Sequence, residues 1–215
     1  MTDGATRIPI LHEDESLVVV DKPAGLLVVA APGRSGPTLV DLVGRQLGRR
    51  VYAVHRLDED TTGLLVLART ETARAAMEEL FRRHAVERIY VALLSRAPSP
   101  NAGRIESRLA ESGDGVVRSV TRGGEKAVTH YRLLARRGPF ALVECRLETG
   151  RRNQIRAHMS ELGCPIVGDR KYGFRGRGPW RRPLLHARRL MFQHPVDGVA
   201  IDVVCEAGTP ELRVD

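Results

Sequence analysis

Apolar positions along the chain fall into short runs that predict more strands than helices. Runs rich in valine, isoleucine and leucine predict strands at 16–20, 26–30, 51–54, 63–68, 88–94, 129–135, 140–147, 185–192 and 199–205. Between 98 and 120 the periodicity is weak, and the turn residues at 113–115 predict the end of a hairpin. A second hairpin is expected where residues 137–139 connect two of the strands.

Three segments have helical spacing instead. The clearest covers 70–84, where one face carries Ala73, Ala76, Met77, Leu80 and Phe81. Its first residue is a threonine, a residue type that favours the N-cap position. Segments 38–47 and 153–162 predict two shorter helices, the second ending at Gly163.

The order of these elements indicates the fold class. Strands and helices do not alternate regularly, so we expect α+β architecture: a mixed, mostly antiparallel central sheet with flanking helices. The 215 residues contain no linker, low-complexity tract or internal repeat. We therefore expect one domain over residues 1–215, and two lobes around a central active-site cleft are compatible with it.

The positive charge of the chain is concentrated in one region. The net charge is +8, and the stretch from Arg146 to Leu190 holds twelve lysines or arginines against three acidic residues. Only three of the 34 basic residues are lysine. A compositional bias explains that ratio equally well, but it does not explain the clustering. A localised basic surface favours a polyanionic partner such as nucleic acid.

The cysteines and the hydropathy of the chain bear on its compartment. Cys145, Cys164 and Cys205 are widely spaced and form no C-x-x-C pair, so we expect small buried hydrophobic residues rather than a zinc site. There is no apolar run of about 18 residues. Residues 1–7 lack the charged-then-apolar pattern of a signal peptide. These features predict reduced thiols, a cytoplasmic location and no membrane partner.

The polar loop around Asp58 is the strongest candidate for chemistry. The carboxylate lies two residues after Arg56 and just before an apolar strand, where it could act as a nucleophile or base. Two other interpretations stay open at this point. Asp58, Glu59 and Asp60 could simply solvate a turn, or they could hold magnesium in a metal-dependent RNA-processing enzyme.

The same loop closely resembles the second motif of RluA-type pseudouridine synthases. The sequence H-R-L-D-E-D-T-T-G-L-L at 55–65 matches H-R-L-D-x-x-T-S-G-L-L, with Thr62 where serine is usual. The resemblance continues in the family's order through E-D-E-S-L-V-V-V-D-K-P-A-G at 13–25, R-I-Y-V-A at 88–92, T-G-R-R-N-Q-I-R at 149–156, G-C-P-I-V-G-D at 163–169, L-H-A at 185–187 and F-Q-H-P at 192–195. In the segment at 149–156, Asn153 replaces the common histidine.

This resemblance implies a function, RNA pseudouridine synthesis, and a role for each matching residue. Asp58 aligns with the catalytic aspartate, Arg156 with its cationic partner, and Tyr90 with the residue that lies against the target base. Arg56 aligns with the arginine that fills the place of a flipped nucleotide. The motifs also make substrate-binding candidates of His55, Arg151, Gln154 and Ile155, the last as an apolar wall. The first motif implies that Lys22 and Pro23 support the loop.

The resemblance further implies an isomerase that needs no cofactor and no metal. Its partner would be a structured loop of ribosomal or transfer RNA, since few aromatic residues are available for a single-strand platform. The first motif begins near Glu13, so we expect a stand-alone catalytic domain without an S4 domain, and a monomer. A non-catalytic RNA-binding protein with the same fold is the remaining alternative.

Overall fold

The computed structural model describes residues 7–214, which form two compact units. Unit 1 contains the residues up to Val86 together with Arg189–Cys205. Unit 2 contains Glu87–Arg188 and the residues from Glu206 onward. Each unit therefore combines two separate stretches of the chain.

Eleven strands and three α-helices make up most of the regular structure of residues 7–214. The strands are β1 (Ile10–Glu13), β2 (Leu17–Lys22), β3 (Tyr52–Ala53), β4 (Thr62–Ala68), β5 (Glu87–Leu94), β6 (Ala102–Glu111), β7 (Val117–Ser119), β8 (Glu125–Arg137), β9 (Phe140–Leu147), β10 (Leu185–Gln193) and β11 (Ala200–Val204). The helices are α1 (Leu39–Leu47), α2 (Glu71–Arg82) and α3 (Gln154–Glu161), with 3₁₀ turns at Arg170–Tyr172 and Pro210–Leu212.

The following strand pairs of each unit are antiparallel. In unit 1, β2 lies between β1 and β4, β3 pairs with β4, and β10 pairs with β11. In unit 2 the order is β5-β9-β8-β6-β7. The α+β class with a mostly antiparallel sheet and flanking helices is confirmed.

The core of unit 1 follows from the alternation along its central strands. Leu17 and Val19 of β2 point to the same face as Leu64 and Val66 of β4, and all four are buried. The apolar face of α2 covers them with Met77 and its neighbours. Thr70 caps that helix as predicted, because its side chain accepts a hydrogen bond from the Ala73 N–H.

Several sequence predictions were wrong in detail. The predicted strand at 26–30 is irregular backbone, because its carbonyls serve the start of α1 instead: Leu39 N–H donates to Leu27 O and Val40 N–H to Val28 O. Strand β1 was not predicted, since four residues at a sheet edge give too short a pattern. Strand β6 was also missed, because only one of its ten residues is buried.

All three cysteines are free and buried, which confirms their prediction as small buried hydrophobic residues. No helix in the described part of the chain has the length and apolarity needed to cross a bilayer. The signal-peptide prediction rests on residues of which 1–6 lie outside the described region.

Candidate active site

The Asp58 loop connects β3 to β4 in unit 1. Leu57 and Thr61 are buried on either side of Asp58, so the loop is fixed to the unit at two points. Inside the loop the Thr61 N–H donates to the Asp58 carbonyl at 3.1 Å, which closes a turn. The Asp58 side chain between these anchors is partly exposed. The local fold thus presents the Asp58 carboxylate on a short, tethered turn.

Lys22 holds this loop in place through hydrogen bonds from its ammonium group. Its side chain is fully buried, and its ammonium donates to the carbonyls of Pro23, Leu26 and Glu59, each at 2.8 Å. The Gly25 N–H adds a further bond to the Glu59 carbonyl at 2.9 Å. The residue directly after Asp58 is therefore tied to the turn that follows β2, which confirms the supporting role predicted for Lys22.

His55 is built into the base of the same loop. Its Nε2 accepts a hydrogen bond from the Val66 N–H at 3.0 Å, so the neutral ring carries its proton on Nδ1. The ring also stacks on Phe81 of α2, with the ring centroids 4.5 Å apart. Through these contacts His55 has a structural role, since it connects the loop to β4 and α2. Its predicted contact with substrate stays a prediction.

The charged neighbours of Asp58 differ in their surroundings. Arg56 is exposed and makes no hydrogen bond or ion pair with any residue between 7 and 214. Glu59 forms an ion pair with Arg34, and Asp60 is exposed. The guanidinium of Arg56 is thus available to a ligand, while Glu59 is engaged within the protein.

Tyr90 lies on β5 in unit 2, beside a buried arginine. Tyr90 and Arg88 are two residues apart, so their side chains emerge on the same face of the strand. Burial lowers the pKa of Arg88, and the nearby Tyr90 opposes that shift. A Cβ atom at Gly150 would collide with the Arg88 guanidinium, which explains why the T-G-R segment has glycine there.

Gln154 holds the T-G-R segment in place. Its side-chain oxygen accepts from the Thr149 hydroxyl at 2.7 Å and from the Arg151 N–H at 3.0 Å. Its amide nitrogen donates to Val128 O and Thr129 Oγ1 of β8. Because the side chain is buried and all four bonds are internal, Gln154 positions its neighbours; its predicted contact with substrate stays a prediction.

Arg151 and Ile155 flank this amide. The Arg151 guanidinium donates to Lys126 O at 3.0 Å and pairs with Glu125 at 2.6 Å, on the surface of unit 2. Ile155 is buried on the first turn of α3. Their substrate-binding roles stay predictions.

Arg156 is the most firmly held of the predicted site residues. Its Nε and Nη2 donate to the two carboxylate oxygens of Asp169 at 2.7 and 2.9 Å, and its Nη1 donates to Asn153 Oδ1 at 3.1 Å. The guanidinium also lies over the Tyr172 ring, 4.8 Å from its centroid. Such a bidentate pair fixes the plane of the guanidinium as well as its position.

The sequence prediction missed Asp169, Asn153 and Tyr172 as partners of Arg156. Asn153 adopts the left-handed conformation with φ of 51°, which asparagine tolerates better than most residues. Asp169 is buried and was visible in sequence only as the last residue of the G-C-P-I-V-G-D segment. The one signal for Asp169 in the sequence was a charged residue close to a short apolar run. The predicted pairing of Arg156 with Asp58 stays a prediction.

Among residues 7–214, no three histidine, cysteine, aspartate or glutamate side chains are grouped so that they could hold a metal ion. The geometry therefore gives no support to the magnesium interpretation of Asp58, Glu59 and Asp60.

Comparison with known proteins decides the family. The family model described as RNA pseudouridylate synthase matches residues 16–161, about two thirds of the chain. The chain belongs to this family. It is 39% identical over 213 residues to the uncharacterized RNA pseudouridine synthase YlyB of Bacillus subtilis, covering 95% of this chain and 70% of that protein. It is 38% identical to ribosomal large subunit pseudouridine synthase D of Zymomonas mobilis, covering 93% and 69%.

Solved structures agree with this membership. Human RNA pseudouridylate synthase domain containing 4 superposes with a TM-score of 0.76 at 30% identity, over 95% of this chain and 90% of that one. Human RNA pseudouridylate synthase domain containing 1 superposes with a TM-score of 0.78 at 24% identity and supports the fold. As a member of the family, the chain is an isomerase that acts on RNA.

Proposed function

We propose that this chain converts specific uridines of large-subunit ribosomal RNA to pseudouridine, with Asp58 as the catalytic carboxylate. The observation that carries the proposal is the Asp58 loop, in which a tethered turn presents the Asp58 carboxylate in a chain of this family. Relatives with 38–39% identity are named for the large ribosomal subunit, which favours ribosomal over transfer RNA.

The reaction needs few groups. The bond between uracil N1 and ribose C1′ breaks, uracil turns, a bond forms between C5 and C1′, and the proton lost from C5 is balanced by one gained at N1. No electrons enter or leave, so the chemistry calls for a carboxylate and a site that retains the free base. We infer that the enzyme works without cofactor or metal.

Four side chains have roles in this proposal. Asp58 is the carboxylate that acts on the sugar or the base. Tyr90 provides an aromatic ring for uracil and a hydroxyl near its C5 proton. Arg156, held rigid by Asp169, supplies a positive charge for the reacting groups. Ile155 contributes an apolar wall.

Access to the target uridine requires base flipping. Extracting a base from a paired region costs a few kcal/mol. The exposed Arg56 guanidinium, which no described residue engages, is suited to occupy the vacated position and offset part of that cost. The exposed arginines between 146 and 190 hold the surrounding phosphates in a salt-dependent manner.

We also propose that both units act together as one catalytic domain, as a monomer in the cytoplasm. Two other functions serve as outcomes of the test. A metal-dependent RNA-processing enzyme would lose activity in EDTA and would cut RNA. A non-catalytic RNA-binding protein would bind RNA and form no pseudouridine.

The decisive experiment compares Asp58→Asn with the matched variant Asp60→Asn. Both remove one carboxylate from the same loop, but only Asp58→Asn should reduce pseudouridine formation, by at least about a thousandfold, because it removes the reacting group. Pseudouridine is mapped in total RNA, both ribosomal and transfer, from a strain lacking the protein, after complementation with each variant. Normal modification by folded Asp58→Asn would refute the assignment, and modification restricted to transfer RNA would correct the substrate.

A further inference from the structure

A basic groove in unit 1 stands apart from the residues proposed for chemistry. It lies where the end of α1, strand β3 and the start of α2 come together, and it encloses about 700 Å³. That volume is typical of ligand pockets, which span about 300–1,000 Å³. Its charged lining consists of four arginines and one carboxylate, namely Arg45, Arg49, Arg50, Arg74 and Asp41.

The arginines of this groove differ in how they are engaged. Arg74 pairs with Glu78 and Glu71 on its own helix. Arg49 and Arg50 are exposed, and their side chains make no hydrogen bond or ion pair with any residue in the described range. Two guanidinium groups therefore face solvent with all their N–H donors open to an anion.

The ring of Tyr52 in β3 contacts two of the groove arginines and restrains their side chains. The guanidinium carbon of Arg50 lies 4.9 Å from the centre of the Tyr52 ring, and that of Arg74 lies 5.9 Å from it. A guanidinium resting on a ring keeps its N–H edges free while losing mobility. Binding an anion then costs less ordering of the side chain than for a free arginine.

The backbone holds the other arginine in position. Gly48 ends α1 in the left-handed conformation with φ of 63°, and the Arg49 N–H donates to the Gly44 carbonyl at 3.0 Å. A Cβ on Gly44 would approach the Arg49 carbonyl to 3.2 Å, so the small residue permits this close turn. The floor between the arginines is apolar and made by Val29, Val40, Val51 and Ala53.

We propose that this groove is an anchoring site for the sugar-phosphate backbone of the RNA substrate, separate from the residues that act on the target uridine. Arg49 and Arg50 bind phosphate oxygens, and the apolar floor accepts a ribose. Because Tyr52 already holds guanidinium groups, we assign it to positioning them and not to stacking on a base. The inference rests on the proposed function, since it takes the substrate RNA as the ligand.

The test compares two doubly substituted full-length proteins. Arg49→Ala with Arg50→Ala removes the two groove cations, and Arg82→Ala with Arg83→Ala removes two exposed cations from the end of α2. Arg82 lies eight residues from Arg74, about 12 Å along the helix axis. Thermal melting first checks that both variants are folded. The affinity for an unmodified, fluorescein-labelled large-subunit rRNA transcript is then measured from 50 to 300 mM KCl.

We expect the groove variant to bind about tenfold more weakly at low salt, and the slope of log K against log salt to become shallower by about 1 to 2, as for the loss of one or two phosphate contacts. The α2 variant should keep both the affinity and the slope of the wild type. Equal affinities for the two variants would overturn the proposal, whether both are unaffected or both are weakened by lost net charge.

This outcome is distinguishable from failure of the proposed function. A wild-type protein that binds the transcript through the groove but forms no pseudouridine would contradict the proposed function and leave the anchoring site standing. If the wild-type protein modifies the RNA but the groove variant and the α2 variant bind it equally well, the proposed function stands and the anchoring site is contradicted.

Discussion

Replacing Lys22 with methionine should weaken both the fold and the Asp58 loop. Methionine keeps most of the side-chain volume and removes the ammonium with its three hydrogen bonds to carbonyls. At about 1.5 kcal/mol for each bond to a charged group, the loss is about 4.5 kcal/mol. Relief of the ammonium desolvation cost offsets part of this. All three carbonyls lose the ammonium, but Glu59 O keeps the bond from the Gly25 N–H, so the other two are the ones left without a donor.

The net destabilisation should therefore be about 2–4 kcal/mol, measured as the free energy of unfolding in urea. Turnover should fall roughly 10- to 100-fold at a temperature where the variant is folded, because the turn that presents Asp58 loses its anchor. Lys126→Met is the matched control, since Lys126 is exposed and forms a surface ion pair with Glu106. A change below about 1 kcal/mol for Lys22→Met, or one equal to that of the control, would refute this reasoning.

Two further predictions concern α3 and its surroundings. Asp169→Asn should lower the free energy of unfolding by roughly 2–4 kcal/mol and turnover by at least about tenfold, because it breaks the buried pair that orients Arg156. Asp114→Asn, at an exposed pair with Arg118, should leave turnover near wild type. Equal turnover in both variants would contradict the role of Asp169. Burial lowers the pKa of His158 below its ordinary 6.5, so the unfolded chain takes up the proton first and stability falls as the pH drops below about 6.5. The unfolding free energy of wild type and of His158→Gln should therefore converge between pH 7.5 and 5, and a constant difference would argue against a neutral, buried His158.

The elements that sequence predicted well have strong local signals. Helix α2 carries its apolar residues at helical spacing behind a threonine cap, and β2 and β4 are continuous apolar runs. The segment at 26–30 has the same composition as a strand, but its carbonyls bind the N–H groups at the start of α1. Only the tertiary fold decides between these two uses of one apolar run.

The candidate site likewise contains residues that a local pattern predicts and residues that only the tertiary fold brings together. The motifs pointed to Asp58 and to the supporting Lys22, because each of these residues lies within one short, continuous stretch of sequence. Asp169 was missed because its contact with Arg156 joins residues 13 positions apart through a turn that the pattern does not reveal. The basic groove was missed for the same reason, since Arg49 and Arg74 come together only when α1 and α2 are folded.

The division of the chain into units has a consequence for synthesis on the ribosome. Unit 1 starts near the beginning of the chain, but its last two strands come from Arg189–Cys205. Leu190 and Phe192 of that stretch belong to the same core as β2 and β4. While translation proceeds, the nascent Asp58 loop therefore lacks part of its supporting core until the ribosome has passed Cys205. A chain that stops before this stretch should therefore not modify RNA, because the core of unit 1 is incomplete without it.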